Sequence, residues 1–290
     1  MLNYPLLYLE HLSDRDLELI AGGEADAPDS VEVMRAKLRE RPEAADELLS
    51  TDHLFDAVFG PQETRSGFDV GVTPFLVFGV LVNKVARDLA ETSFVPEWVG
   101  TGQRLPVFDV DTLRDFIEDG LRRYFVIEFL ASFTKIASGA VWVRTRRGYR
   151  RRRYSELDPV ALSEMVDALP PHQRAAGYRR LGDVSLFLAG VFPDHTTRNR
   201  LGELARARLA RSAGVGEGDA LAGEDEVRFF EVVGPGWYGR AVDSAKTSVG
   251  VGPEYLRDVA EHFIDARRFL NFLSDRYLHR LDTGLMHPAS

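Results

Sequence analysis

Between Tyr124 and Val143 the chain runs YFVIEFLASFTKIASGAVWV, twenty residues interrupted by only two charges, Glu128 and Lys135. At about 100° per residue, Phe125, Val126, Ile127, Phe129, Leu130, Phe133 and Ile136 cover nearly the whole circumference of a helix over Leu121–Ser138. Tyr124, Glu128, Ser132 and Lys135 fall in one narrow stripe. A helix that is apolar on almost every side must be enclosed by other elements. A chain containing it therefore has to fold as a packed multi-helix body. The two charges argue against a membrane span. The other strongly apolar run, Val70–Val82, is shorter than the roughly 20 residues a spanning helix needs. Both read as buried core helices.

Helical periodicity bounded by Gly and Pro recurs along most of the remaining sequence. It predicts helices over Asp14–Ala21, Ser30–Glu40, Glu43–Phe59, Thr73–Ser93 and the segment DTLRDFIEDG. Beyond Asp158-Pro159, a good N-cap and N1 pair, it predicts Pro159–Ala168, Pro171–Arg180, Leu181–Val191, Thr197–Ala213, Gly223–Lys246 and Pro253–Leu281. EWVGTGQRLPVFDVD reads as a loop. The 290 residues, 44% hydrophobic and 28% charged, suit a folded globular chain. The expected fold is mainly α, a compact multi-helix bundle of about ten helices with one protruding β-hairpin at about 140–154. Its expected organisation is an N-terminal helical half over 1–138, the hairpin region over 139–157 and a C-terminal helical half over 158–290, together one compact unit.

The hairpin is VWVRTRRGYRRRRY. Val141, Trp142 and Val143 are β-formers, Gly148 is free to take positive φ, and Tyr149–Tyr154 can return antiparallel. Seven arginines, Arg144, Arg146, Arg147, Arg150, Arg151, Arg152 and Arg153, fall within ten residues of an acidic chain. Removing seven positive charges from a net charge of −9 leaves −16 on the rest. Any affinity for a polyanion must therefore be local. In a strand, Arg150 and Arg152 share one face, and Arg151 and Arg153 share the other. Guanidinium groups flanked by Tyr149 and Tyr154 suit phosphate contacts and base stacking. The expected partner is nucleic acid, an acidic protein surface or a second copy of the chain in a homo-oligomer. The competing reading ties the arginines to the protein's own acidic helices, such as Asp109–Asp119, in pairs worth about 0–1 kcal/mol each.

Other chemistry is sparse. With no cysteine there are no disulfides, thiolate metal sites or cysteine nucleophiles. The stripe Tyr124, Glu128, Ser132 and Lys135 defines an alternative polar pocket for an enzyme or small-ligand receptor, since such groups acquire shifted pKa values when desolvated. His262, Asp265, Asp275 and His279 on the last helix have metal-like spacing, but Asp275 and His279 sit opposite the apolar face. No metal site is expected. Asp183 and His195 bracket LFLAGVF without a nucleophile placed by any motif; Asp183 reads most simply as a helix cap. GVGEGD, GPGWYG and SVGVGPE follow no strand and lack the lysine and hydroxyl of a phosphate loop. In GPGWYG, Pro235 and Gly236 are expected to bend or divide a helix. No cofactor is expected, and a catalytic role is the lesser reading.

The segments LGDVSLFLAGVFPDH, FFEVVGPGWYGRA and AEHFIDARRFLNFLSDRYL resemble an uncharacterised family of prokaryotic all-helical proteins. The resemblance spans roughly the C-terminal third. It implies a helical fold and transfers no catalytic residue. The N-terminus, MLNYPLLYLEHLSDRDLELI, has no basic segment ahead of its apolar residues and meets Glu10 and Asp14 early, so it does not read as a signal peptide. The expected location is cytoplasmic, with no membrane partner.

Overall fold

The computed structural model describes residues 4–22, 30–41, 43–60, 71–134, 138–145, 148–216, 218, 225–245 and 254–278. Strand residues 138–145 and 148–154, and residues 4–6, 30, 43 and 254, are described through their backbone alone. The protein is mainly α, with fifteen α-helices among the described residues. It divides into two compact units, one of Met1–Ser93, Asp109–Thr134 and Tyr277–Ser290, the other of Phe94–Phe108 and Lys135–Arg276.

The first unit contains α1 (Tyr4–His11), α2 (Asp14–Ile20), α3 (Ser30–Glu40), α4 (Glu43–Leu49), α5 (Asp52–Phe59), α6 (Pro74–Ala90), α7 (Asp111–Glu118) and α8 (Gly120–Ser132). α2 begins at a capping box, in which Ser13 Oγ accepts from Asp16 N and the Asp16 carboxylate accepts from Ser13 N at 2.8 Å. The other Asp16 oxygen accepts from Thr73 N at 3.0 Å. Thr73 in turn caps α6, ahead of Pro74 at its first position. One fully buried carboxylate thus sets the start of two helices. α6 buries eleven of its seventeen residues and packs on α8, whose Tyr124–Ile127, Phe129 and Leu130 are also buried. The single helix expected over Glu43–Phe59 is two. Ser50 Oγ donates to Asp46 O at 2.6 Å and Thr51 Oγ1 to Leu48 O at 3.1 Å, so both hydroxyls bond back to the end of α4, and Thr51 takes the extended backbone from which α5 starts.

The second unit holds β1 (Val95–Gly100), β2 (Gln103–Val107), β3 (Ser138–Thr145), β4 (Gly148–Ser155), α9 (Pro159–Ala168), α10 (Arg174–Gly190), α11 (Pro193–Arg198), α12 (Glu203–Ala213), α13 (Glu226–Ala245), α14 (Glu254–Glu261) and α15 (Phe263–Leu273). The expected arginine hairpin is the antiparallel pair β3–β4. A second antiparallel hairpin, β1–β2, replaces the loop expected over EWVGTGQRLPVFDVD. Its prolines obscure it in the sequence, because proline is confined to edge strands. Both strands of a two-stranded ribbon are edges, and here Pro96 stands opposite Pro106. The turn is made by Gly102 at φ +68°.

α10 runs unbroken through the boundary expected between Arg180 and Leu181, and α13 runs unbroken through Pro235. Close approach explains both glycine-containing segments. A Cβ on Gly182 would lie 2.7 Å from Tyr238 Cδ1 and Cε1, and one on Gly236 would lie 2.6 Å from Ala213 O. Asp183 is no cap: its carboxylate accepts from Tyr238 Oη at 2.9 Å inside the α10–α13 contact. Burial and the adjacent Asp183 charge push the Tyr238 phenol well above its usual range. Asn271 of α15 donates to Ala189 O and Gly190 O, and Ser274 to Val191 O, so the carbonyls that α10 leaves open at its C-terminus are closed by side chains. No helix among the described residues is long and apolar enough to cross a membrane.

The substitution Gly182→Ala places a methyl against the Tyr238 ring and is expected to destabilise the protein by about 1–3 kcal/mol, the usual range for overpacking a filled core. Urea unfolding checks it: a lower midpoint with unchanged slope is expected, and an unchanged midpoint would show that the ring has room to move.

Candidate functional site

In hairpin β3–β4 the backbone register sets the arginine run opposite uncharged residues. Arg150 pairs with Val143, Arg151 with Trp142, Arg152 with Val141 and Arg153 with Ala140, while Tyr149 faces Arg144 and Tyr154 faces Gly139. Neither strand contains a carboxylate. Cross-strand ion pairing, the usual way a ribbon balances a charged strand, is therefore absent from the pairing itself. Arg146, Arg147 and the side chains from Lys135 to Tyr154 lie outside the described residues. After the run, Glu156 meets Arg180 at 3.1 Å, and Asp158 caps α9 by accepting from Val160 N and Ala161 N.

The polar stripe on α8 is graded rather than gathered. Tyr124 is buried, with Oη 2.9 Å from His11 Nε2. Glu128 is half-buried; Ser132 is exposed and donates to Phe129 O at 2.7 Å. Lys135 is outside the described residues. Asp183 and His195 have opposite surroundings: Asp183 is buried on Tyr238, whereas His195 is exposed beside Asn199. On the terminal segment, His262 Nδ1 lies 2.9 Å from Asp258 O, Asp265 is near Arg268, and Asp275 is held by Arg104 at 2.6 and 3.0 Å. His279 is outside the described residues. No group of three or more His, Asp or Glu suited to a metal occurs among the described residues. Gly214, at φ +76°, closes α12, and SVGVG lies outside the described residues.

Two clefts that the sequence did not reveal bring polar groups together. The larger, about 480 Å³, lies among α9, α12 and α13. At its buried end Ser163 Oγ donates to Ser212 Oγ at 3.0 Å, and Trp237 Nε1 donates to the same oxygen at 3.4 Å; Arg208, Arg211 and Arg240 stand around it with Glu164 and Asp167. The smaller, about 250 Å³, is lined by Ser50, by Asn83 and Arg87 of α6, by Arg114 and Glu118 of α7 and by Arg123 of α8. Arg123 also meets Asp46 at 3.0 Å. Burial raises the Asp46 pKa above the ordinary carboxylate value, opposed by the Arg123 charge and by hydrogen bonds from Tyr8 and Arg123. No sequence signal marks these arginines, because inward-reaching and solvated arginines occupy helices at the same spacing.

In the second unit, arginine–carboxylate pairs join β1–β2 to the helices. Glu97 accepts from Arg267 at 3.0 Å and from Arg268 at 3.1 Å, and Arg267 also lies 2.7 Å from Glu231. Arg104 bridges Asp275 and Asp194. One Asp194 oxygen accepts from Trp98 Nε1 at 2.7 Å and Gly102 N at 3.1 Å. Burial acts to raise the Asp194 pKa, but these two bonds and the Arg104 charge outweigh it and hold the carboxyl below its usual value.

Comparison of the chain with protein-family models, curated proteins and solved structures finds no match. The resemblance of the C-terminal third accordingly assigns no role to any residue.

A carboxyl whose folded pKa is depressed contributes stability above its unfolded pKa, about 3.9 for Asp, and loses it as pH falls through the folded value. Asp194→Asn keeps an acceptor for Trp98 and Gly102 but removes this dependence. The difference in urea midpoint between wild type and Asp194→Asn is expected to be greatest above about pH 5 and to shrink below about pH 4. A difference that stays constant across that range would rule out the ionised carboxylate as its source.

Proposed function

We propose that this chain is a non-catalytic binding, regulatory or scaffold protein that engages an acidic partner through hairpin β3–β4, using Arg144, Arg146, Arg147 and Arg150–Arg153 with Tyr149 and Tyr154. The observation that carries this reading is the register: four consecutive arginines stand opposite Val143, Trp142, Val141 and Ala140, in a ribbon with no carboxylate in either strand. Concentrating like charge along one strand is unfavourable unless anions are supplied from outside the pairing. A partner rich in phosphates or carboxylates supplies them, and guanidinium forks match either group in bidentate geometry. The acidic remainder of the chain restricts such binding to this element. Of the acidic partners, a single-stranded nucleic acid uses the most of what is present, since phosphates meet the arginines and bases stack on the two flanking tyrosines.

Fluorescence anisotropy with a labelled single-stranded oligonucleotide, and with labelled polyglutamate as the protein-like competitor, tests the proposal. Replacing Arg150–Arg153 by alanine is expected to weaken binding by at least about tenfold, since each charge-assisted contact is worth about 1.5–3 kcal/mol. It is also expected to flatten the salt dependence, whose slope is about 0.7 per phosphate contacted on a single strand. Helical circular dichroism should not change. Binding that is absent in the wild type, or undiminished in the variant, overturns the proposal.

A further inference from the structure

The larger cleft, in the second unit, has a polar floor with charges of both signs around it. Its three helices each contribute two side chains one turn apart, which therefore share a helix face: Ser163 and Asp167 of α9, Ser212 and Arg208 of α12, Trp237 and Arg240 of α13. The floor is short of one acceptor. Ser163 and Ser212 are only 6% and 8% exposed, yet both line the cleft. A hydroxyl has one hydrogen to donate and two lone pairs to accept with. The bond between the two serines uses one hydrogen, and Trp237 Nε1 donates to Ser212 Oγ. Whichever serine donates to the other, the second hydroxyl hydrogen has no acceptor among the described residues. Native proteins rarely leave a buried donor so.

The charges do not cancel in place. Arg208 pairs with Glu164 at 3.7 Å, and Arg211 is already engaged. Arg240 meets no carboxylate among the described residues. Its guanidinium lies 5.6 Å from the Tyr178 ring centre, with Nη1 3.5 Å from Tyr178 Oη, and a Cβ on Gly214 would come within 3.1 Å of its Nε. These two neighbours position the fork without neutralising it. Asp167 is exposed, and only its backbone carbonyl is taken, by Arg174. Its carboxylate meets no cation among the described residues.

One cation, one carboxylate and one hydroxyl hydrogen are therefore left over. An anion alone would face Asp167, and a cation alone would face Arg240. A compact zwitterion matches all three groups. On α9, Ser163 and Asp167 are about 6 Å apart along the axis. An α-amino acid carries its carboxylate and ammonium on one carbon, so with a hydrogen bond at each end it spans that gap. The cleft volume of about 480 Å³ leaves room for a side chain. We propose that the cleft among α9, α12 and α13 is a binding site for a free α-amino acid, its carboxylate taken by Arg240 and the Ser163–Ser212 pair and its ammonium by Asp167. The site lies outside hairpin β3–β4 and does not depend on it.

The test is isothermal titration of the full chain with glycine, L-leucine and L-glutamine, which share the zwitterionic head and differ in side chain, and with the amide and N-acetyl derivatives of each. At least one of the three is expected to bind saturably, with one molecule per chain. Its amide lacks the carboxylate and is expected to bind at least about tenfold more weakly. Its N-acetyl derivative lacks the ammonium and is expected to bind about two- to fivefold more weakly, a smaller loss because Asp167 is exposed. Arg240→Gln is expected to raise Kd about tenfold or more. Asp167→Asn is expected to weaken the amino acid until it binds no better than its N-acetyl derivative. The proposal is overturned if none of the three binds saturably, if an amide or N-acetyl derivative binds as tightly as its amino acid, or if Arg240→Gln leaves Kd unchanged. If Arg240→Gln does not fold, Asp167→Asn decides, since its position is exposed: loss of the difference between amino acid and N-acetyl derivative supports the site, and a difference that persists overturns it. The hairpin proposal is read separately by polyanion binding, so either can fail without the other.

Discussion

The second unit depends on how closely α10 and α13 approach each other. At Gly182 the α10 backbone lies against the face of the Tyr238 ring, at a distance no other residue allows without displacement. The same ring carries its hydroxyl to the buried Asp183 carboxylate, so apolar contact and polar satisfaction are met by one side chain. Other elements are arranged around this pair. Gly236 admits the end of α12, Gly234 admits Phe263, and Asn271 and Ser274 close the open carbonyls of α10. Pro235 is accommodated within α13 without ending it.

Arginine has two distinct uses in this chain. Where β1–β2 meets the helices, Arg104, Arg267 and Arg268 are matched one-to-one or better by Asp194, Asp275, Glu97 and Glu231. Such buried pairs add little net stability, because desolvation offsets their attraction, but removing one partner strands the other. They fix which surfaces meet. In β4, by contrast, four consecutive arginines stand in register with Val143, Trp142, Val141 and Ala140, and neither strand of the ribbon contains a carboxylate.

Much of the α structure was legible because local signals agreed with the tertiary outcome. Thr73-Pro74 and Asp158-Pro159 each combine a cap with helical periodicity, the Ser30–Glu40 pattern has the periodicity, and all three helices lie where expected. The VWV…GYRRRRY pattern likewise forms its hairpin. The errors arose where a residue's meaning depends on a distant neighbour. The break expected between Arg180 and Leu181 does not occur, and Gly182 beside it serves the close approach of Tyr238; Pro96 looks like loop until Pro106 is set across from it. Ser50 and Thr51 hold the only local cue to the break between α4 and α5, and the apolar spacing of Leu54, Phe55, Val58 and Phe59 masks it. The clefts were illegible for a related reason. Arg87, Arg114 and Arg123 come from three helices, and nothing in any one of them shows that they converge.

Asp16 joins positions 57 residues apart with a single carboxylate, starting α2 with one oxygen and meeting the N-cap of α6 with the other. The closure is therefore made at its ends and does not rely on the length of chain between them. Because closure entropy rises only with the logarithm of loop length, a few residues more or fewer in the connections between α2 and α6 would change the cost of this closure little. The junction acts as a fixed datum for the starts of both helices.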